Sequence, residues 1–173
     1  MSPAWHYGCP LAGFLASEEA MQTLETKVPP PVLAIAIGGT MKLYAYASPL
    51  QIDTSPLLAV IGVGLSQISA AIALLAFAGF AHARTTINPI RPSRASSLVT
   101  GGIFRFTRNP MCLSLLLLLI AYALRLASWV ECLGPASFIA YVTRFQIIPE
   151  EAVLAQKFGA AFHAYRARTR RWL

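Results

Sequence analysis

Two polar clusters lie on either side of one long apolar stretch, and they carry residue types that could bind a charged ligand. Arg108-Asn109 precedes the stretch, residues 111–147, and Glu150-Glu151 follows it. A stretch of 37 residues is too long for one membrane crossing of about 20 residues and long enough for two. Because a hairpin of two crossings returns to the surface from which it started, we expect Arg108-Asn109 to lie beside Glu150-Glu151.

Together the two clusters suit a ligand that carries both a carboxylate and an amine. An arginine can bind a carboxylate through two parallel N–H···O bonds, and a glutamate can accept hydrogen bonds from an amine or from ribose hydroxyls. S-adenosylmethionine carries all of these groups. The sequence contains neither a GxGxxG turn nor a GxxxxGK[ST] loop, so the nucleotide sites of soluble enzymes are not indicated.

The composition indicates an integral membrane protein of one domain. The chain has 173 residues, of which 56% are hydrophobic and only 12% are charged, and its mean hydropathy is +0.58. Soluble domains carry roughly 25% charged residues. Half of that charge cannot cover a surface that faces water, whereas lipid accepts apolar side chains. We therefore expect the bilayer as the surroundings of the fold and a lipophilic molecule or a lipid as its substrate.

Four apolar segments predict an all-α bundle of about four transmembrane helices, at residues 31–50, 57–82, 111–126 and 127–147. Lys42 lies inside the first segment, and we expect its long side chain to reach the outer surface rather than the bundle interior. The second segment has a side of small residues, which favours close helix contact in lipid. These residues are Gly62, Gly64, Ser66, Ser69, Ala70, Ala71 and Ala73.

After Pro149 the sequence predicts a last, interfacial helix over residues 150–168, with Leu154, Phe158, Phe162 and Tyr165 on one face. Glu151 shares that apolar face, and an acid there favours a functional role. Pro149-Glu150-Glu151 is nevertheless also typical of an ordinary helix start, because proline fits the first turn and acids are favoured there.

The net charge of +7 is unevenly distributed, since residues 83–110 hold five arginines and no acid. Basic blocks beside apolar spans indicate cytoplasmic loops. We therefore expect a bacterial inner membrane location with both termini cytoplasmic, and no nucleic-acid binding. Three cysteines without a CxxC pair and three scattered histidines indicate neither a disulfide framework nor a metal site. Residues 1–22 differ from the rest and are interpreted as a disordered extension or a misassigned start, before a domain at 23–173.

The strings LVTGGIFRFTRNPM at residues 98–111 and RFQIIPEEAVLAQKFGAAFHAYRARTRRW at residues 144–172 resemble one family of membrane enzymes. It comprises the isoprenylcysteine carboxyl methyltransferases and the phospholipid methyltransferases, and the resemblance covers residues 86–172. It implies S-adenosylmethionine as cofactor. The residues that the resemblance and the two polar clusters assign to cofactor binding are Leu98, Val99, Gly101, Gly102, Phe104, Arg108, Asn109, Pro110, Met111, Cys112, Glu150 and Glu151.

The chain departs from the family pattern at three positions. Asn109 stands where the eukaryotic prenylcysteine enzymes have His, and Cys112 stands where Tyr is usual. Gln146 lies near the place of an expected substrate-contacting Arg, which leaves Arg144 as the nearest candidate. We therefore assign catalytic roles to Arg144, Glu150 and Glu151. These changes affect the expected substrate more than the expected cofactor.

Simpler interpretations exist for several of these residues. Arg108 could be only a positively charged anchor at the membrane surface. Gly101-Gly102 could be a simple turn, and Asn109-Pro110 could cap a helix. Tyr165, Arg168 and Trp172 are expected to be interfacial anchors.

The resemblance implies methyl transfer to a lipophilic acceptor, most like carboxyl O-methylation of isoprenylcysteine. A carboxylate acceptor needs no general base, whereas an amine acceptor must lose a proton, which Glu150 or Glu151 could take. The alternatives are N-methylation of a phospholipid or another amine, a membrane reductase of the steroid-reductase type, and a membrane scaffold without enzymatic activity.

Overall fold

A computed structural model describes residues 28–48, 55–82 and 98–173. Within these ranges the fold is helical, without a β-strand, and one isolated parallel bridge joins Thr107 and Arg170. The predicted extension at residues 1–22 lies outside the described part. The six helices of the described ranges are α1 (Pro30–Ala47), α2 (Pro56–His82), α3 (Pro110–Leu126), α4 (Leu133–Val142), α5 (Ile148–Phe158) and α6 (Ala160–Arg168).

Helix α3 is the centre of the bundle, because α1, α2 and α4 all pack against it. Eight of its residues are buried, whereas α1 and α2 bury three each. Helix α1 also contacts α4, where the side chain of Met41 packs on Gly134. A side chain at Gly134 would collide with this methionine, so the glycine permits the close approach of the two helices.

Helix α2 contacts α3 through a narrow stripe of small residues. Its buried residues are Gly62, Ser69 and Ala76, spaced by seven positions, or about two helical turns. A Cβ at Gly62 would lie 3.2 Å from the backbone oxygen of Ala121, and the Ser69 hydroxyl donates to the backbone oxygen of Ser114 at 2.7 Å. The predicted small-residue contact is confirmed at Gly62 and Ser69, while Gly64, Ala70 and Ala71 of the predicted side are exposed.

The predicted hairpin is present between α3 and α4. Helix α3 ends at Leu126, and Ala127 adopts a left-handed conformation with φ of 51°. A 3-10 turn at Trp129–Cys132 then leads into α4. Most of the core formed here is apolar, and it includes Leu116, Leu119, Phe138 and Val142.

The predicted helix start at Pro149 is confirmed to within one residue, since α5 begins at Ile148, but the prediction that this helix is separate from the preceding one is wrong. Backbone dihedrals remain helical from α4 through a π-turn at Thr143–Ile147 into α5. In the π-turn the N–H of Ile148 donates to the carbonyl of Thr143, five residues back. Pro149 has no N–H and would crowd the preceding turn of a regular ladder, so the wider turn lets the helix continue past it.

The predicted single helix at residues 150–168 is also wrong, because it is divided at Gly159. This residue has φ of 48° and ψ of −122°, a backbone conformation that side chains with a Cβ rarely adopt. The periodicity of the sequence does not indicate this break between α5 and α6. The break still places Phe162 and Tyr165 of α6 in a buried cluster.

Among the described residues, one helix is long and apolar enough to cross a bilayer by length and composition, namely α2 with 27 residues. Helix α3 is apolar but has only 17 residues. The described helices thus show an all-helical fold with one clear candidate span, and the four-span bundle stays a prediction.

Candidate functional site

The two predicted polar clusters meet at one end of the bundle, where three charged side chains form a network. Arg108 Nη2 lies 3.2 Å from Glu151 Oε1. Arg171 adds two bonds to the same carboxylate, from Nε to Oε1 at 3.1 Å and from Nη2 to Oε2 at 2.8 Å. The expectation that Arg108 lies beside Glu151 is therefore confirmed. Because both oxygens of Glu151 are bonded, the geometry gives this residue a positioning role for two arginines.

The C-terminal tail is held against the segment that precedes α3. Arg108 N–H donates to the carbonyl of Arg170 at 3.0 Å, and the Thr107 hydroxyl donates to the carbonyl of Arg171 at 3.3 Å. The Asn109 side-chain amide donates to the same carbonyl at 3.1 Å. Asn109 thus occupies the N-cap position of α3 without capping it, which corrects the prediction of a side-chain cap.

Tyr165 is a second attachment point between the tail region and this segment. Its hydroxyl donates to the carbonyl of Phe104 at 2.7 Å, and the side chain is buried. Burial raises the pKa of Tyr165 to about 12, so the phenol remains a neutral donor at physiological pH. The burial of Tyr165 agrees with its predicted place on the apolar helix face, and its role as an interfacial anchor stays a prediction.

An apolar wall adjoins the charged network and contains four of the predicted cofactor residues. Phe104 is buried at its centre, in edge-to-face contact with Phe80 of α2 at 5.0 Å between ring centroids. Leu98, Val99 and Met111 pack around this cluster with the α6 residue Phe162. By contrast, Cys112 is buried in the separate core around α3.

The glycine pair lies at the edge of this wall and is exposed. Gly102 has φ of +58°, a left-handed conformation that glycine adopts without a steric penalty. It begins the 3-10 turn at Gly102–Arg105 that delivers Phe104 into the cluster. The simple-turn interpretation therefore holds for Gly102, and Pro110 is buried at the first position of α3.

Arg108 has hydrogen-bonding capacity that its described neighbours do not use. Its Nε and Nη1 atoms are buried and have no hydrogen-bond partner within the described ranges. The side chain is only 10% exposed, and desolvation lowers the pKa of the guanidinium. Unpaired buried N–H groups are costly, so this arginine presents a donor pair suited to an anion.

Glu150 lies next to Glu151 but takes no part in the network, since the salt bridges of Arg108 and Arg171 go to Glu151. It is half-buried and interacts electrostatically with Cys112 of α3. Burial raises the pKa of Glu150 to about 7, and repulsion from the Glu151 carboxylate adds to the rise. A carboxyl group with this pKa can both accept and release a proton near neutral pH.

Arg144 lies in the π-turn that precedes α5. Arg144 is exposed, and its guanidinium carbon lies 5.7 Å from the centroid of the neighbouring Phe145 ring. Gln146, two positions later, is buried instead. The catalytic assignment of Arg144 stays a prediction.

Sequence reasoning missed Arg171, Thr107 and Thr169. These residues join the tail to residues 98–109 before α3, the motif segment. Thr169 Oγ1 lies 3.5 Å from the carbonyl oxygen of Arg105. Several arginines in the tail are typical of positive charge on the cytoplasmic side of a membrane, so the sequence does not single out Arg171. Glu151 is the residue from which the role of Arg171 could have been inferred. A carboxylate on a buried face needs hydrogen-bond donors for both oxygens, and Arg108 can serve only part of them.

Comparison with known proteins identifies the family of the chain. The model of the phospholipid methyltransferase family matches residues 57–161, more than half of the chain. An uncharacterized protein of Haemophilus influenzae is 44% identical over 63 residues, which cover 36% of this chain and 100% of that protein. No solved structure matches the chain. The matched region includes both polar clusters and the hairpin between them, and the chain belongs to the phospholipid methyltransferase family, a family of membrane-associated methyltransferases.

Proposed function

We propose that the protein transfers the methyl group of S-adenosylmethionine to a lipophilic acceptor at the cytoplasmic face of the membrane. The observation that carries the proposal is the pair of buried, unpartnered N–H donors on Arg108 beside the Glu151 carboxylate. Family membership supports methyl transfer in general. The position of Arg108, at the beginning of the central hairpin, supports a site at the membrane surface.

The residues present fit the charged groups of this cofactor. Arg108 Nη1 would donate to its carboxylate, because the neighbouring Nη2 is already fixed on Glu151. Glu150 would accept hydrogen bonds from its ammonium or ribose hydroxyls. The apolar wall of Leu98, Val99 and Phe104 would cover the adenine. No metal is needed for this assignment.

The chemistry asks mainly for positioning and exclusion of water. S-adenosylmethionine supplies a methyl group on a positively charged sulfur. The protein orients the cofactor through Arg108. The two hydrogen bonds from Arg171 to Glu151 help to hold Arg108 in place. Phe104 and Met111 border the same region and keep one side of it apolar.

The acceptor determines whether a base is required. The resemblance to the isoprenylcysteine enzymes makes a carboxylate oxygen the first candidate, and a carboxylate reacts without losing a proton. The second candidate class is a protic acceptor, an amine or a hydroxyl. The raised pKa of Glu150 favours this class, because a carboxylate with a pKa of about 7 is suited to take a proton at neutral pH.

We further propose four membrane crossings, formed by α1, α2, α3 and the segment from α4 through the π-turn. The proposal is supported by the hairpin between α3 and α4 and by the exposed apolar side chains along α1 and α2. The positive-inside bias then places the Arg108 network and both termini on the cytoplasmic side.

Calorimetric titration of the purified full chain with S-adenosylmethionine in detergent tests the cofactor assignment. We expect Arg108→Lys to bind about tenfold more weakly, because a single ammonium replaces a fork of N–H donors. Arg105→Lys is the matched control on the same segment, since Arg105 is exposed, and it should bind like the unaltered protein. Equal affinity in both variants, or binding of NADPH instead, would contradict the assignment.

A further inference from the structure

Gln146 is a buried polar residue without hydrogen-bond partners in the described part of the chain. Its side chain lies in the π-turn and the residue is only 2% exposed. Neither the amide oxygen Oε1 nor the amide nitrogen Nε2 has a partner there. Leaving both a donor and an acceptor unpaired in an apolar interior is unfavourable. A group that carries both functions is needed to satisfy them.

The buried residues next to Gln146 on the same helix are apolar. Val142 precedes it by one turn and Ile147 follows it directly, and both are fully buried in the core around α3. Glu150 follows one turn later on the same helix.

The π-turn explains why this position differs from an ordinary helical one. Thr143–Ile147 form a wider turn than the flanking helix, and such turns occur frequently at functional sites. Regular helical geometry would have placed Gln146 differently relative to Val142 and Ile147. The sequence therefore uses a local distortion to hold an amide inside the core.

We infer that Gln146 binds the headgroup of the methyl acceptor and that this headgroup is an uncharged hydroxyl on a lipophilic molecule. The inference rests on the proposed function. A hydroxyl can donate to Oε1 and accept from Nε2 at the same time. A carboxylate would leave Oε1 unpaired and face Glu150, whereas an ammonium would leave the Nε2 donors unpaired.

The resulting reaction is balanced with S-adenosylmethionine as methyl donor. The hydroxyl oxygen forms a bond to the methyl carbon as the bond from that carbon to sulfur breaks. The electron pair of the broken bond stays on sulfur, which becomes neutral. In the reacting state the hydroxyl keeps its bond from Nε2 and turns its proton away from Oε1 to the Glu150 carboxylate, four residues after Gln146 in the sequence, which accepts it. Gln146 is thus a specificity-determining residue, and Glu150 receives the proton.

Three probes with the same alkyl chain and different headgroups test the inference: dodecylphenol, dodecylamine and dodecanoate. Their binding to the full chain in detergent is measured by calorimetry, without S-adenosylmethionine. We expect dodecylphenol to bind most tightly, and Gln146→Leu to weaken its binding about tenfold, the scale of a lost pair of neutral hydrogen bonds. Binding of the other two probes should change little.

Two further variants keep the test decisive. Gln156→Leu makes the same substitution at an exposed position of α5 and should bind all probes like the unaltered protein. Gln146→Met retains an unbranched side chain of similar length, so it reports on the site if Gln146→Leu does not fold. Both substitutions at Gln146 should leave the thermal unfolding midpoint unchanged or higher, because they remove unpaired buried polar atoms.

Methyl transfer from labelled S-adenosylmethionine to the same probes gives a second readout. We expect the KM for dodecylphenol to rise about tenfold in Gln146→Leu, while affinity for S-adenosylmethionine stays the same. Equal binding of the three headgroups, or a preference that persists in Gln146→Leu, overturns the inference. Absence of cofactor binding in the unaltered protein would instead overturn the proposed function, since the probe titrations do not require the cofactor.

Discussion

Arg171 holds Glu151 through two hydrogen bonds, with Nε 3.1 Å from Oε1 and Nη2 2.8 Å from Oε2. The third residue from the C-terminus thereby reaches a buried acid of α5. The interaction raises the pKa of Arg171 above its ordinary value, so the guanidinium is charged under all physiological conditions. Glu151 in turn lies against Arg108, and the tail becomes part of the structure around the motif segment.

Replacing Arg171 with Lys should destabilise the fold and weaken cofactor binding. Hydrogen bonds to charged groups contribute about 1.5–3 kcal/mol, and the side chain of Arg171 is 31% exposed. We therefore expect a loss of about 1–2 kcal/mol, since exposure reduces the contribution and lysine retains the charge. Thermal unfolding in detergent measures the loss. Arg168→Lys is the control, because Arg168 is exposed and its Nε donates to the carbonyl of Ala164 in the same helix. An equal effect of both substitutions would contradict the role of Arg171.

Tyr165→Phe should remove one hydrogen bond that joins α6 to the motif segment. The hydroxyl bond to the Phe104 carbonyl is lost while the ring remains in its buried position. We expect a loss of about 1–2 kcal/mol, because the carbonyl is left without this partner. Tyr46→Phe, at a residue that is 84% exposed, should leave the unfolding midpoint unchanged. A larger effect at Tyr46 than at Tyr165 would show that the phenol bond does not stabilise the fold.

The sequence predicted the helical class and the meeting of Arg108 with Glu151, and both follow from one physical cause. A hairpin of two apolar helices returns to its starting surface, so its flanking residues become neighbours whatever the details of packing. The small-residue contact at Gly62 and Ser69 was also predictable, because only small side chains permit close helix approach.

The π-turn and the break at Gly159 were not predictable from periodicity. Pro149 can start a helix or be accommodated within one, and only the packing of Ile147 and Val142 into the core selects the second arrangement. The role of Arg171 was hidden for a different reason. Arginines near a membrane surface are common, and only the position of the buried Glu151 distinguishes one of them from the others.

The stability of the protein should fall as the pH rises from about 5 to about 8, partly because of Glu150. Its folded-state pKa of about 7 lies above the ordinary value of 4.5, so in this window the folded state binds a proton that the unfolded state has released. Stability therefore decreases until the pH passes the folded-state pKa. Glu150→Gln should show a smaller decrease in unfolding midpoint between the two pH values.

Methyl transfer should show the opposite dependence on pH. Below about pH 7 the Glu150 carboxyl is protonated and cannot accept a proton. The rate with a hydroxyl acceptor should therefore rise with pH through this value. Glu150→Gln should be slow and lack this rise. A Glu150→Gln variant with an unchanged rate and pH profile would exclude Glu150 as the proton acceptor.

The hairpin between α3 and α4 should face the side of the membrane opposite to the Arg108 network. Cys132 is exposed in the 3-10 turn of that hairpin, whereas Cys112 is buried in α3. In a Cys9→Ser background, a membrane-impermeant maleimide added to intact cells should therefore label Cys132. A reporter fused after Leu173 should in the same cells indicate the cytoplasm, because the tail is bonded to the basic segment before α3. Labelling of Cys132 only after the inner membrane is opened would contradict the crossing of the bilayer by α3.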